Sequence, residues 1–330
     1  MRSKIYLMLI GFAVFTGATF NLAKYSVHYF SAAGAAAWRF GIAALVMVLI
    51  LGFQKQIKIS IIKTHWKMYI LLGIIGIFGF NTFFFLGMKY TSPLNGALIM
   101  GTNPLVTALF AYFILKNPIT KQQMLGIAFA LVGVILVLTQ GSLAIIRTLS
   151  ISKGDLLILA GNICWALYGV LGRKYLNGSS SMETTTYTMV IGSLFLTIIT
   201  VFIPSPQPLS YVTIPAWGAI LFMSLFTSVL GYLWWNKGMA TIGASNTSLF
   251  FNLVPVVTMI LSIITGSTIS LPQIVGTCLV ILGVLTASGL MRLKRKQKID
   301  LIYADFFSIY FCFQAYPYFR FNCISIYIKH

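Results

Sequence analysis

From residue 5 to residue 291 the sequence is a succession of apolar runs, each long enough to cross a bilayer, parted by short polar breaks. A helix needs roughly 20 apolar residues to span the hydrocarbon core. Candidate spans fall at 5–24, 33–53, 68–88, 93–115, 121–139, 154–175, 182–203, 216–237, 244–266 and 271–291. The chain is 58% hydrophobic and 8% charged, whereas a soluble domain carries about 25% charged residues. Too few charges exist to build a water-facing surface, so lipid is the expected solvent. The expected fold class is all-α integral membrane, with ten transmembrane helices.

The net charge of +19 would suggest nucleic acid as the partner of a soluble chain. Here the cations sit at the ends of apolar runs, where they set orientation, and no nucleic-acid partner is expected. With the N-terminus inside, 16 Lys and Arg fall on inner segments, among them Arg2, Lys4, Lys55, Lys58 and the run RLKRKQK at 292–298; Lys24, Arg39, Lys89, Arg147 and Lys153 make 5 on the outer side. This bias predicts that the N-terminus and residues 292–298 are both cytoplasmic. Arg2 and Lys4 ahead of an apolar stretch also fit a signal peptide, but that stretch is needed to complete the repeat described next and is read as a retained first helix.

Sliding the chain by 151 residues aligns GMKYTSPLNGALIMGTNPLVT (87–107) with GMATIGASNTSLFFNLVPVVT (238–258). The uncommon letters coincide at Gly87/Gly238, Asn95/Asn246 and Pro104/Pro255, and GIAFALVGV (126–134) aligns with GTCLVILGV (276–284). Each copy holds five spans, an odd number, so the second copy must start from the opposite side. A sequence repeat thereby becomes an inverted structural repeat, the arrangement of many secondary transporters. The expected divisions are 1–140 and 141–291 for the two five-helix repeats. Residues 292–330 form a basic and then aromatic-rich tail outside the core, which is a poor eleventh span.

With these segments, GATFNLAK (17–24), WRFGIAAL (38–45), NPLVTALFAYFIL (103–115) and GDLLILAGNICWALYGVLGRK (154–174), residues 5–291 resemble a drug/metabolite transporter superfamily member with two EamA domains. The resemblance implies a ten-helix inner-membrane carrier with a central cavity, in a family that moves amino acids, nucleotide-like metabolites, vitamins and some drugs, often outward.

Pro104 and Pro255 fall near the middle of the fourth and ninth spans, where each removes a backbone hydrogen bond and bends the helix. They are expected to shape a cavity; inherited packing kinks are the plainer reading. Asn103 and Asn252 adjoin the bends, and a buried amide needs a partner, either substrate or a neighbouring helix; Asn21, Asn81 and Asn162 share the ambiguity. Trp165 and Tyr168 lie three apart on one helical face at mid-span, away from the interface where such residues gather, and so suggest a cavity wall. Tyr232 is a weaker cavity candidate. Trp234 and Trp235, beside Lys237, read as interfacial anchors. Arg39, two turns inside its span, either faces a wet site or snorkels outward, and Lys24 reads as an edge residue.

None of the four acids, Asp155, Glu183, Asp300 and Asp305, lies at mid-span, so the membrane carboxylate of a cation exchanger is missing. His28, His65 and His330 lie outside the spans and form no relay. Cys164, Cys278, Cys312 and Cys323 lack metal or disulfide spacing. No cofactor or metal is expected, and no catalytic set is evident. Gly126/Gly133, Gly276/Gly283 and the trio Gly73, Gly76 and Gly79 point to close helix packing, with a homodimer contact left open. The leading function is export of amino acids or similar small metabolites by alternating access, with the lipid bilayer and a small-molecule substrate as partners. Efflux of hydrophobic drugs is the alternative, and a non-transporting receptor or structural protein the alternative of another class.

Overall fold

A computed structural model describes residues 2–54, 59–139, 141, 152–176, 178–203 and 208–287. The tail at 292–330, and with it the expected cytoplasmic run 292–298, lies outside them. Among the described residues the chain forms ten helical segments, one short 3-10 turn and no strand.

The first five segments are α1 (Arg2–Ser26), α2 (Ala32–Phe53), α3 (Ile59–Leu72, π-helical Gly73–Gly79, then Phe80–Tyr90), α4 (Pro93–Gly101 and Asn103–Leu115) and α5 (Lys121–Leu138). The second five are α6 (Lys153–Tyr175), α7 (Ser181–Phe202), α8 (Ile214–Phe222, π-helical Met223–Gly231, then Tyr232–Thr241), α9 (Ala244–Ser248, 3-10 Leu249–Asn252, then Leu253–Ile264) and α10 (Leu271–Ala287). All except α5 and α10 are long and apolar enough to cross a membrane, and α5 and α10 are apolar helices of 18 and 17 residues. The protein is an all-α, multi-pass membrane protein.

Helix starts follow side-chain chemistry. Ser31 and Ser180, equivalent at an offset of 149, cap α2 and α7 by accepting from Gly34 N at 3.0 Å and Glu183 N at 3.1 Å. Glu183 returns the bond, accepting from Ser180 N at 2.8 Å in a capping box. At Ser92 the side chain accepts from Asn95 N and Pro93 takes the first helical turn, where its missing N–H costs nothing.

Packing follows the repeat. α2 lies on α7 and α5 on α10; α1 packs on α8 and α9, while α6 packs on α3 and α4. Exchanging each helix with the one five places on leaves these pairings unchanged. Contacts along the helices fix their directions. Leu9 meets Gly238 and Tyr25 meets Thr213, so α1 and α8 are antiparallel. Phe20 meets Phe84 and Lys24 meets Met88, so α1 and α3 are parallel. Trp165 meets Tyr232 and Arg173 meets Met239, so α6 and α8 are parallel too. Hence α1 and α6 run in opposite senses, as do α3 and α8.

The two π-helical turns occupy equivalent places in α3 and α8. Wide turns of this kind, often found at functional sites, shift the side-chain register at the depth where the halves meet. On α3 the turn brings Gly76 so close to Tyr168 that an added Cβ would lie only 2.2 Å from Tyr168 Cδ2, and one at Gly73 would lie 2.8 Å from Ile191 Cγ2.

Candidate functional site

At the centre of the molecule α1, α2, α3, α4, α6, α8 and α9 enclose a cavity of about 20 Å³, lined by Phe12, Thr16, Thr19, Phe20, Arg39, Phe80, Phe84, Met100, Trp165, Thr227, Tyr232 and Phe251. That is room for a water molecule or two, not for a metabolite. Both halves contribute to the wall.

Arg39 is the cation of the site. Its side chain is 2% exposed and turns inward instead of snorkelling: Nε donates to Ser228 Oγ on the α8 π turn at 2.9 Å, and the guanidinium carbon lies 5.0 Å from the Phe40 ring centre and 5.9 Å from that of Phe85. The only acids among the described residues are engaged at helix ends. Asp155 accepts from Thr91 Oγ1 at 2.5 Å, and Glu183 caps α7. A buried guanidinium is therefore held by one hydroxyl and two aromatic faces with no carboxylate opposite it.

Trp165 is the hub of the aromatic wall. Its ring centre lies 4.7 Å from Tyr232, 5.1 Å from Phe80, 5.3 Å from Trp235, 5.6 Å from Tyr168 and 6.4 Å from Phe12. Trp165 Nε1 and Thr16 Oγ1 are buried without hydrogen-bond partners. The wall is mostly apolar, and the charge it carries, the Arg39 guanidinium, complements an acceptor or an anion.

Tyr232 joins the site more firmly than the sequence implied. Its hydroxyl accepts from Asn81 Nδ2 at 3.5 Å, and these two residues are equivalent at the offset of 151. Tyr168 stands one layer further along α6, where Asn236 Nδ2 donates to its hydroxyl and to Thr185 Oγ1, both at 2.8 Å. On the α1 side, Thr19 and Thr227 share a 2.8 Å hydroxyl contact.

The two predicted asparagines are placed elsewhere. Asn103 Nδ2 donates to Asn162 Oδ1 at 2.8 Å while Asn103 Oδ1 accepts from Thr107 Oγ1, a cross-link of α4 to α6. Asn252 donates back to Leu249 O within its own 3-10 turn, and its Oδ1 is buried without a partner. Pro104 opens the second part of α4 just after the break at Thr102, and Pro255 packs over Gly101, so the two interrupted helices cross at their breaks.

One expectation needs correction. Trp235 is not an interfacial anchor: it is fully buried, 5.0 Å from Phe12 and 5.2 Å from Phe251, because α8 continues to Thr241 and carries it inside. Trp234 stacks on Phe15. Lys24 stands in the last turn of α1, and there its Nζ donates to the carbonyls of Met88, Lys89 and Thr91 at 3.0, 3.3 and 2.8 Å. Sequence reasoning missed Ser228, Asn236 and the Thr19/Thr227 pair. The one available signal was the cluster of small hydroxyls in SLFTS (224–228) inside an apolar run.

A model of the EamA-like transporter family matches this chain twice, at residues 3–139 and 152–289. The uncharacterized transporter YyaM of Bacillus subtilis (strain 168) is 62% identical over 291 residues, covering 88% of this chain and 95% of that protein. An uncharacterized transporter of Archaeoglobus fulgidus is 28% identical over 285 residues, covering 85% and 97%. A crystal structure with 20% identity superposes with a TM-score of 0.64 over 89% of this chain and 100% of its own, which shows the shared fold. Two family matches that together span most of the chain, and a relative of this identity along nearly its whole length, lead to one conclusion: the chain belongs to the EamA-like transporter family.

Proposed function

We propose that this protein is a secondary transporter that exports amino acids or similar small metabolites across the cytoplasmic membrane by alternating access. Its ten helices span the bilayer as two inverted five-helix repeats, with the N-terminus and residues 292–298 in the cytoplasm, the side favoured by the cation bias. The observation that carries this reading is the small central cavity, walled by residues of both halves and holding one buried cation. A guanidinium bonded to Ser228, with no carboxylate opposite it among the described residues, stands there among aromatic rings with an indole N–H and a hydroxyl that lack partners. A carboxylate satisfies Arg39, and the rings of Trp165, Phe12, Phe80 and Phe84 give apolar surface to the rest of the molecule. A purely cationic substrate would meet Arg39 with no counter-charge, so neutral, zwitterionic or anionic metabolites are the preferred cargo. A cavity too small for any of them in this structure must open to one side and then the other.

The test is a comparison of metabolites in medium and cytosol between cells lacking and cells overproducing the protein, followed by transport of the responding compounds in proteoliposomes. Accumulation of amino acids or other small carboxylates in the medium on overproduction is the expected result. Transport of quaternary ammonium compounds with none of amino acids or carboxylates would overturn the substrate reading in favour of drug efflux.

A further inference from the structure

Lys24 and Arg173 are equivalent at the offset of 149, and each ends a helix that walls the cavity, α1 and α6. Lys24 Nζ donates to Met88, Lys89 and Thr91 carbonyls at the C-terminus of α3. Arg173 Nη1 donates to the Met239 carbonyl at the C-terminus of α8, and its guanidinium lies over Gly243 in the turn that follows. Met88 and Met239 are themselves equivalent at the offset of 151. Each cation thus sits on the unpaired carbonyls and negative dipole end of the corresponding helix in its own half.

The two contacts lie at opposite ends of the molecule, because α1 and α8 are antiparallel and Gly238, beside Met239, packs on Leu9. Each also closes a seam that begins at the cavity. Along α1 and α3 the order outward is Phe20 against Phe84, then Lys24 on the carbonyls. Along α6 and α8 it is Trp165 against Trp235, then Gly169 against Met239, then Arg173. Among the described residues neither cation has an acid within ion-pair distance, so what it holds is backbone, and it holds it only while the helix ends are together.

The geometry points to Lys24 and Arg173 as the two gate-positioning residues of the transport cycle, each holding one mouth of the cavity shut. The inference rests on the alternating-access reading above. Opening toward one face breaks the Lys24 contacts and keeps that of Arg173, and opening toward the other does the reverse. Both are made in this structure.

The test labels a reporter cysteine, Met100→Cys at the cavity wall, in a full-length protein whose four native cysteines are replaced by serine. A membrane-impermeant thiosulfonate is applied to the outside of intact cells and, separately, to inside-out vesicles. Lys24→Met is expected to raise the labelling rate at least about fivefold from one side only, and Arg173→Met by a similar factor from the other side only. Lys24→Arg and Arg173→Lys are expected to label like the parent. Rates within about twofold of the parent from both sides, or both variants opening the same side, overturn the proposal. Where a Met variant does not accumulate, Lys24→Gln or Arg173→Gln is measured in its place, and failure of every neutral variant to accumulate makes the cations structural and also overturns it. Labelling needs no substrate: a parent that exports nothing sinks the transport reading alone, and normal export with unchanged labelling sinks the gates alone. If the two sides are simply exchanged, the gates stand and the orientation is reversed.

Discussion

Arg39 Nε lies 2.9 Å from Ser228 Oγ, a hydrogen bond across 189 residues that joins α2 of one half to the π turn of α8 in the other. Within that turn Ser228 and Thr227 both point inward, toward Arg39 and Thr19. A buried charge without a counter-ion is costly in the empty protein. Arg39→Met, which keeps most of the volume, is therefore expected to leave the melting temperature of the empty protein unchanged or higher. Transport of a carboxylate substrate should fall at least about tenfold, as loss of a charge-assisted hydrogen bond implies. A thermal melt in detergent beside proteoliposome uptake measures both, and a fall in stability with normal uptake would make Arg39 a structural residue.

Trp165 separates packing from recognition in one position. Trp165→Ala removes the hub of the aromatic wall and should cost about 3–5 kcal/mol of stability. Trp165→Phe keeps a ring and deletes an N–H that has no protein partner, so its stability should match the parent. If that N–H serves the substrate, KM rises by about three- to tenfold. An unchanged KM in the Phe variant would assign Trp165 to packing alone.

Gly76 and Gly41 give opposite expectations for the same substitution. An added methyl at Gly76 lies 2.2 Å from Tyr168 Cδ2, a clash, while nothing lies within 4 Å of one at Gly41. Gly76→Ala must displace Tyr168 from Asn236 or push the π turn off α6, a cost of about 1–3 kcal/mol with loss of transport. Gly41→Ala should be neutral or gain up to about 1 kcal/mol. Paired melts check both, and equal behaviour would mean that α3 does not approach α6 this closely.

Helix existence was legible because apolar length is a local property, but the limits were less so: α3 starts at Ile59, well before the expected 68, and α8 runs on to Thr241, past the expected 237. Arg39, Trp165 and Tyr232 were legible as odd residues at depth, since a cation or a hydroxyl in hydrocarbon must meet something. What could not be read was which neighbour each meets. Trp235 looked interfacial because Lys237 follows it, yet interhelical packing carries the end of α8 inward. Asn103 and Asn162 find each other across 59 residues, a pairing set by the α4–α6 crossing and invisible in either segment. The π turns were hidden too: GIIGIFG (73–79) and MSLFTSVLG (223–231) read as ordinary small-residue faces, and the wide turns arise where they pack against α7 and α2.

Orientation rests on the cation bias alone and is checked without any substrate. A reporter fused after Lys298 is expected to report a cytoplasmic position, and one fused in the 116–121 connection to do the same, as even-numbered spans end inside. Periplasmic activity of the first fusion would remove the ten-span inverted repeat.

The last prediction concerns the broken helices. At the break in α4 the carbonyl of Ile99 accepts from Thr102 N at 3.1 Å, from Thr102 Oγ1 at 2.6 Å and from Asn162 Nδ2 at 3.0 Å. In α9 the carbonyl of Leu249, ahead of Pro255, accepts from Asn252. Each break thus has its own amide donor, so neither depends on water, and Pro255 seated over Gly101 couples the two. Replacing a proline restores an N–H and lets its helix straighten, which moves the half of that helix bordering the cavity. Pro104→Ala and Pro255→Ala should each reduce transport while accumulation in the membrane stays normal. Asn162→Leu should instead lower stability by about 1–3 kcal/mol, because Asn103 loses its buried partner. Proline variants that transport at the parental rate would reduce the two bends to packing kinks, whatever the fate of Asn162→Leu.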